Sequence, residues 1–252
     1  DRVQTGVDRA ATEAAGSSSW VSGRNLIIHG SGRLNQRGYA SGALVGAPNT
    51  FTLDRWFLPL SGRSLLYVGG DSRRIMTVDG TGIRQVVEGV NIVGGTYVLS
   101  WDGTANATVN GAAVSKGVPF TLPANTNAVV AMRGGTFTDV QLERGSISTP
   151  FEDRSFGAEI VLSQRYYQVV FVTLGFVASA ASEVVQFPIA LRVTMRASPS
   201  VSLLVNGTGT NAVSANASSP TDNNFVVDLF SAGTGYVQIA GRLFALSAEL
   251  IS

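Results

Sequence analysis

His29 is the only histidine in this 252-residue chain and there is no cysteine, so most side-chain chemistry is closed at the outset. A Ser-His-Asp relay would have to use His29, which follows the apolar run Leu26-Ile27-Ile28 and has no nucleophile motif beside it. It reads as a structural histidine. One imidazole and no thiol cannot assemble a zinc ligand set, and disulfides are excluded. Carboxylates remain. A glycosidase needs two acids ~5–9 Å apart across a groove, and Asp71, Glu152 and Asp153 are the candidates. Neighbouring residues on an extended chain point to opposite faces, so Glu152 and Asp153 do not make such a pair by themselves. No Gly-Lys-Ser/Thr loop occurs, and Gly30/Gly32, Gly207/Gly209 and Gly233/Gly235 read as turns rather than phosphate cradles. Asp and Asn oxygens leave a structural calcium open, but no EF-hand spacing is present and no cofactor is implied. The chain does not read as an enzyme.

Neutral hydrogen bonding is the chemistry that the composition favours. Hydrophobic residues make up 44% and charged residues 14%, so Ser, Thr, Asn, Gln and Gly must cover much of the surface. A net charge of +1 gives no reason to expect nucleic acid or an anionic membrane as partner. No apolar run reaches the ~18 residues of a membrane span; the longest, Val169 to Ala181, is interrupted by Thr173 and Gly175. Sugar recognition pairs an aromatic face with neutral donors and acceptors. The polar stretch Asn206 to Asn224 is expected to be a long loop of that kind. Asn211, Asn216, Asp222 and Asn223, with Tyr236 close by in sequence, form the candidate glycan surface.

The elements that must position these groups are almost all strands. Asp1 to Ala15 is the one helical stretch in the first half, with Val3, Val7, Ala10 and Ala14 on one stripe, and Gly16 to Ser19 ends it. From Trp20 onward, short apolar runs are punctuated by Gly, Asn and Asp. Leu26–Ile28, Phe51–Leu60, Leu65–Val68, Val86–Val93, Tyr97–Trp101, Ala107–Val109, Val129–Met132 and Phe137–Leu142 read as strands. Asp79-Gly80, Asp102-Gly103 and Asn110-Gly111 supply the turns. Trp56 lies among apolar residues and reads as core, with Asp54 and Arg55 bonding around it. In Val140-Gln141-Leu142-Glu143 the alternation predicts Val140 and Leu142 inward, Gln141 and Glu143 outward. Ala158 to Tyr167 is a strand or a helical turn. Val169–Val177, Val184–Val193, Ser200–Val205, Phe225–Phe230 and Tyr236–Leu250 continue the β pattern. No fixed-period repeat appears, which argues against a β-helix or propeller. The class is all-β, in three parts: a helix or linker over 1–19, a sandwich over 20–154 and a second sandwich over 155–252.

Four patches resemble tail fibres of tailed bacteriophages. They are NLIIHGSGRLNQRG with FTLDRWFL (from Asn25 and Phe51), GTYVLSWDGTANATVNG (from Gly95), the junction from Thr138 to Gln168 with its QLERGSISTPFE and QRYY cores, and VTMRASPSV (from Val193). The resemblance implies a jelly-roll module of carbohydrate-binding type, then a β-sandwich tip, on a short N-terminal stalk helix that continues from preceding chain. It implies a homotrimeric receptor-binding protein of the virion, assembled in the host cytoplasm. The stalk would join other tail proteins, and the tip would adhere to a bacterial surface polysaccharide or lipopolysaccharide without membrane insertion. Gln164, Arg165, Tyr166 and Tyr167 would lock the domain or subunit junction. The alternative is a structural spacer that never touches the receptor; a capsule-depolymerising glycosidase is the more distant reading.

Overall fold

The computed structural model describes residues 23–251, so the proposed stalk helix over Asp1 to Ala15 lies outside the described residues. The chain divides into two compact units between Glu159 and Ile160. That division falls inside the helix α1 (Phe156–Gln164) rather than at the expected 154/155. Ser155 caps the helix: its Oγ accepts from the Ala158 N–H at 3.3 Å.

The first unit is two antiparallel sheets around one core. The six-stranded sheet runs β1 (Thr50–Phe51), β2 (Phe57–Leu58), β5 (Ile83–Val87), β10 (Ala128–Arg133), β7 (Asn106–Val109) and β8 (Ala112–Val114). The five-stranded sheet runs β3 (Leu66–Gly70), β4 (Arg73–Val78), β11 (Gly135–Arg144), β6 (Gly95–Asp102) and β9 (Pro119–Leu122). Alternate residues of both sheets meet in the middle: Ile83, Val87, Val130 and Met132 from one, Met76, Tyr97, Leu99, Trp101 and Phe137 from the other. Trp56 is fully buried in this core, its ring 5.6 Å from that of Phe137, and its Nε1 donates to the His29 carbonyl. Arg55 and Asp54 bond around it as expected, Arg55 to the Val86 carbonyl at 2.7 Å and Asp54 to the Gln36 side chain at 2.9 Å. The Asn110-Gly111 turn closes β7 on β8 with both residues at positive φ, 50° and 82°.

Four expectations for this unit are corrected. Val86–Val93 is not one strand: β5 ends at Val87, and a turn of 3-10 helix follows over Gly89–Asn91. Leu26–Ile28 is not a strand; its backbone bonds instead to Leu142 and to the side chains of Gln85 and Asn25. Phe51–Leu60 is two short strands bent at Arg55, whose φ is 68°. Gln141 and Glu143 do point away from the core, yet both are buried, because residues 149–152 lie across that face. Gln141 Nε2 donates to Glu143 Oε1 at 2.9 Å, Thr149 N–H and Oγ1 donate to Glu143, and Glu152 N–H donates to Gln141 Oε1 at 2.8 Å. A polar residue at an outward position is buried whenever another segment satisfies it.

The second unit also has two sheets. One pairs β12 (Tyr167–Ala178), β18 (Gly235–Ser247) and β14 (Ser200–Val205), with β15 (Thr208–Thr210) also on β18. The other pairs β13 (Val184–Ala190), β17 (Asn224–Ser231) and β16 (Ala212–Ser218). β17 alternates strictly, burying Phe225, Val227, Leu229 and Ser231. Pro188, which has no N–H to give, sits on the edge strand β13. The stretch Asn206 to Asn224 is corrected from a loop to β15 and β16 joined by short turns. Its Ser, Thr, Asn and Gly residues carry little apolar alternation, and the strands form because β17 and β18 offer unpaired edges.

Candidate functional site

The residues proposed for a glycan surface do not converge. Asn211 has φ 49° and spends its amide on the Gly233 and Thr234 carbonyls at 3.0 and 3.2 Å, so it fastens the turn that leads to Tyr236. Tyr236 is exposed, and its hydroxyl end lies against the Cα of Gly175. Asp222 and Asn223 occupy the turn at the other end of β17, where the Asp222 carbonyl accepts from Met195 N–H. β17 has eight residues, and at ~3.4 Å per step its two ends are about 24 Å apart. Asn216 lies between them, exposed on β16. Of the junction quartet, Gln164, Tyr166 and Tyr167 are buried and Arg165 is exposed. Their backbone anchors the start of the second unit, through the Arg165 carbonyl to Arg196 N–H and the Tyr166 carbonyl to Ala248 N–H, both at 2.8 Å.

The same unit presents an uncharged apolar sheet face. Residues paired across neighbouring strands share a face. Phe171 and Val205 are both partners of Leu243, and Val177 is the partner of Tyr236. Phe171 is 61% exposed and Val177 is 74% exposed, while Val169, Thr173 and Gln238 fill out the face without a charge. The sequence showed the apolar strand but not its face, since Val169 to Val172 are apolar at every position and so mark neither face.

In the first unit, the outer face of the five-stranded sheet holds a groove of about 540 Å³ lined by Val68, Gly69, Arg73, Ile75, Asp102, Gly103, Thr136 and Thr138. Register explains why these groups share one surface. Val68 pairs with Ile75, Gly70 with Arg73, and Thr138 with Asp102, while Met76 and Phe137 go to the core. The chain over residues 149–152 covers the Gln141 and Glu143 end of the face and leaves this end open. Two glycines allow the strands to approach: a Cβ on Gly103 (φ 117°) would lie 2.2 Å from the Thr136 carbonyl, and one on Gly69 (φ 110°) 2.5 Å from the Arg73 carbonyl.

Arg73 is the centre of this groove. Its Nη2 reaches Asp102 Oδ2 at 3.1 Å and Asp139 Oδ2 at 2.5 Å. Asp139 occupies a β-bulge with φ 51°, which turns its carboxyl out of the strand and toward Arg73. Burial pushes that carboxyl above the usual carboxylate range, against the pull of the Arg73 guanidinium. Lys116 stands 3.5 Å from Asp102. Beyond Arg73 a second hollow of about 460 Å³ is lined by Ser31, Arg33, Ser72, Asp139, Phe151 and Asp153, and there Asp153 pairs with Arg33.

The acids singled out from sequence have structural work. Glu152 accepts from the backbone N–H groups of Gly23 and Asn25, and Asp71 pairs with Arg74 at 2.6 Å. His29 is wholly buried: its backbone N–H donates to Glu159 Oε2 at 2.7 Å, and its side-chain Nδ1 accepts from Leu34 N–H at 2.8 Å. Burial, with Arg74 and Arg33 near by, pulls its pKa down to about 3. Among the described residues no three His, Cys, Asp or Glu side chains gather as a metal site, and no helix is long and apolar enough to cross a membrane. The Arg73 groove was not legible in the sequence, because its members come from four strands whose pairing is decided only on folding. The chain matches no protein-family model, no curated protein and no solved structure.

Proposed function

We propose that this chain is the tip of a phage-type tail fibre. In this reading the first unit is a jelly roll of carbohydrate-binding type and the second a β-sandwich tip. Three copies assemble in the host cytoplasm and are carried on the virion, joined to other tail proteins through the N-terminal stalk. The tip adheres to a bacterial surface polysaccharide or lipopolysaccharide and catalyses nothing.

The observation that carries this reading is the uncharged outer face on β12, β18 and β14. A face with Phe171, Val177 and Tyr236 open to water is large and apolar for a solitary small domain. Covering it with further copies supplies association, and joint engagement of weak sites raises avidity by ~10²–10⁴-fold. The low charge of the chain also suits neutral glycans.

The test is sedimentation of the purified chain, followed by a bacterial glycan array. A trimer that dissociates on Phe171→Glu with its far-ultraviolet spectrum unchanged supports the reading. A stable monomer at micromolar concentration sinks the fibre-tip reading. A trimer silent across host polysaccharides leaves the spacer in its place, and new reducing ends in the polysaccharide overturn the claim that no bond is cleaved.

A further inference from the structure

We propose that the groove centred on Arg73 binds a neutral saccharide, with the C–H face of a pyranose ring on Val68 and Ile75 and its hydroxyls on Asp102, Arg73 and Thr138. This rests on the adhesion reading and gives it a site, one that lies in the first unit rather than among Asn211, Asn216, Asp222, Asn223 and Tyr236.

Four observations lead there. The two hollows share Arg73, and each falls within the ~300–1,000 Å³ range of small-ligand sites. One wall is apolar and exposed: Val68 is 67% and Ile75 47% accessible, and they are register partners, so they form one continuous shelf. The opposite wall is polar, with Asp102, Thr136 and Thr138, and Asp139 continues it into the second hollow. Charge is balanced throughout, since Arg73 and Lys116 face Asp102, Arg73 faces Asp139, and Arg33 faces Asp153.

That balance selects the ligand. An anion would meet three carboxylates, and a cation two guanidinium groups and an ammonium. A polyol meets donors and acceptors whose charges are already compensated, so it replaces water without leaving any charge unpaired. Asp102 and Arg73 keep about half or more of their side chains open, and both have hydrogen-bonding capacity left for vicinal hydroxyls. A peptide adding by backbone pairing needs a sheet edge, whereas the groove crosses the face of β3, β4, β11 and β6.

The experiment titrates the full chain with neutral methyl pyranosides (gluco, galacto, manno and N-acetylglucosamine) and with dextran, read by amide shifts in nuclear magnetic resonance. Neutral sugar is expected to move the Val68, Gly69, Gly103 and Thr138 signals. Asp102→Asn and Ile75→Lys are expected to weaken binding at least tenfold with thermal stability retained, since both positions are exposed. Arg63→Gln, which breaks a remote pair with Asp79, is expected to leave binding unchanged. Binding that survives Asp102→Asn and Ile75→Lys at full strength overturns this site while leaving adhesion standing. Preference for uronic or sialic acid probes overturns the neutral ligand. No response to any saccharide, on this chain or on a glycan array, removes the adhesion reading together with the site.

Discussion

Lowering the pH from 7 to 5 should destabilise the first unit by about 2 kcal/mol through His29 alone. The imidazole is wholly buried, and its Nδ1 accepts the Leu34 N–H, so protonation would set a donor against a donor. Its pKa is about 3 in the fold and 6.5 for the free side chain. The folded value is depressed, and for a base this means that the unfolded chain takes up the proton first. The stabilisation is therefore complete above pH 6.5 and is lost as pH falls from there toward 3. Each pH unit in that window costs ~1.36 kcal/mol, and integration from pH 7 to 5 gives about 2 kcal/mol. For a domain of this size the melting temperature should fall by roughly 6–10 °C. The chain has only this histidine, and the acid of this unit that burial raises toward the window, Asp139, is removed by running the same comparison in an Asp139→Asn background. The second unit has no histidine and serves as an internal control. Calorimetry with hydrogen exchange would follow both units. An imidazole resonance titrating near 6.5, or a first unit whose stability is flat from pH 7 to 5, refutes the argument.

Trp56→Ala should cost the first unit ~3–5 kcal/mol, because a fully buried indole leaves a cavity beside Phe137 and frees the His29 carbonyl; chemical denaturation measures it. Gly103→Ala should cost several kcal/mol by thermal unfolding, since its Cβ would sit 2.2 Å from a carbonyl oxygen at φ 117°, whereas Gly70→Ala, with open space around its Cβ, should stay within ~0.5 kcal/mol. Gln141→Ala should cost ~1–3 kcal/mol by leaving the Glu152 N–H and part of the Glu143 carboxylate unmatched under residues 149–152. Its opening should appear as faster hydrogen exchange at Thr149 and Glu152.

The all-β class, the buried Trp56 with its bonded neighbours Asp54 and Arg55, and the Asn110-Gly111 hairpin were legible in the residues themselves. Each rests on local physics: two-residue alternation, the size of an indole, or the positive φ that Asn-Gly accepts. Arg73–Val78 escaped notice as a strand because its inward residues, Arg74, Met76 and Val78, begin with a guanidinium. That group is buried against the Gly32 and Arg33 carbonyls, at 2.8 and 2.6 Å. β15 and β16 were hidden for a different reason: β15 has no apolar side chain, and those that β16 turns to the core, Ala215 and Ala217, are too small to mark an alternation. The placing of polar groups was decided only by tertiary structure. Gln141 and Glu143 have the spacing of solvent-facing residues, and their burial depends on a segment that returns across them. Arg73, Asp102 and Asp139 are separated by 29 and 37 positions in sequence, yet they meet because β4, β11 and β6 are neighbours in one sheet and a bulge turns Asp139 outward. Periodicity reports which face a residue takes on its own strand; which strands adjoin, and what later covers them, follows from the competition among all pairings for a single core.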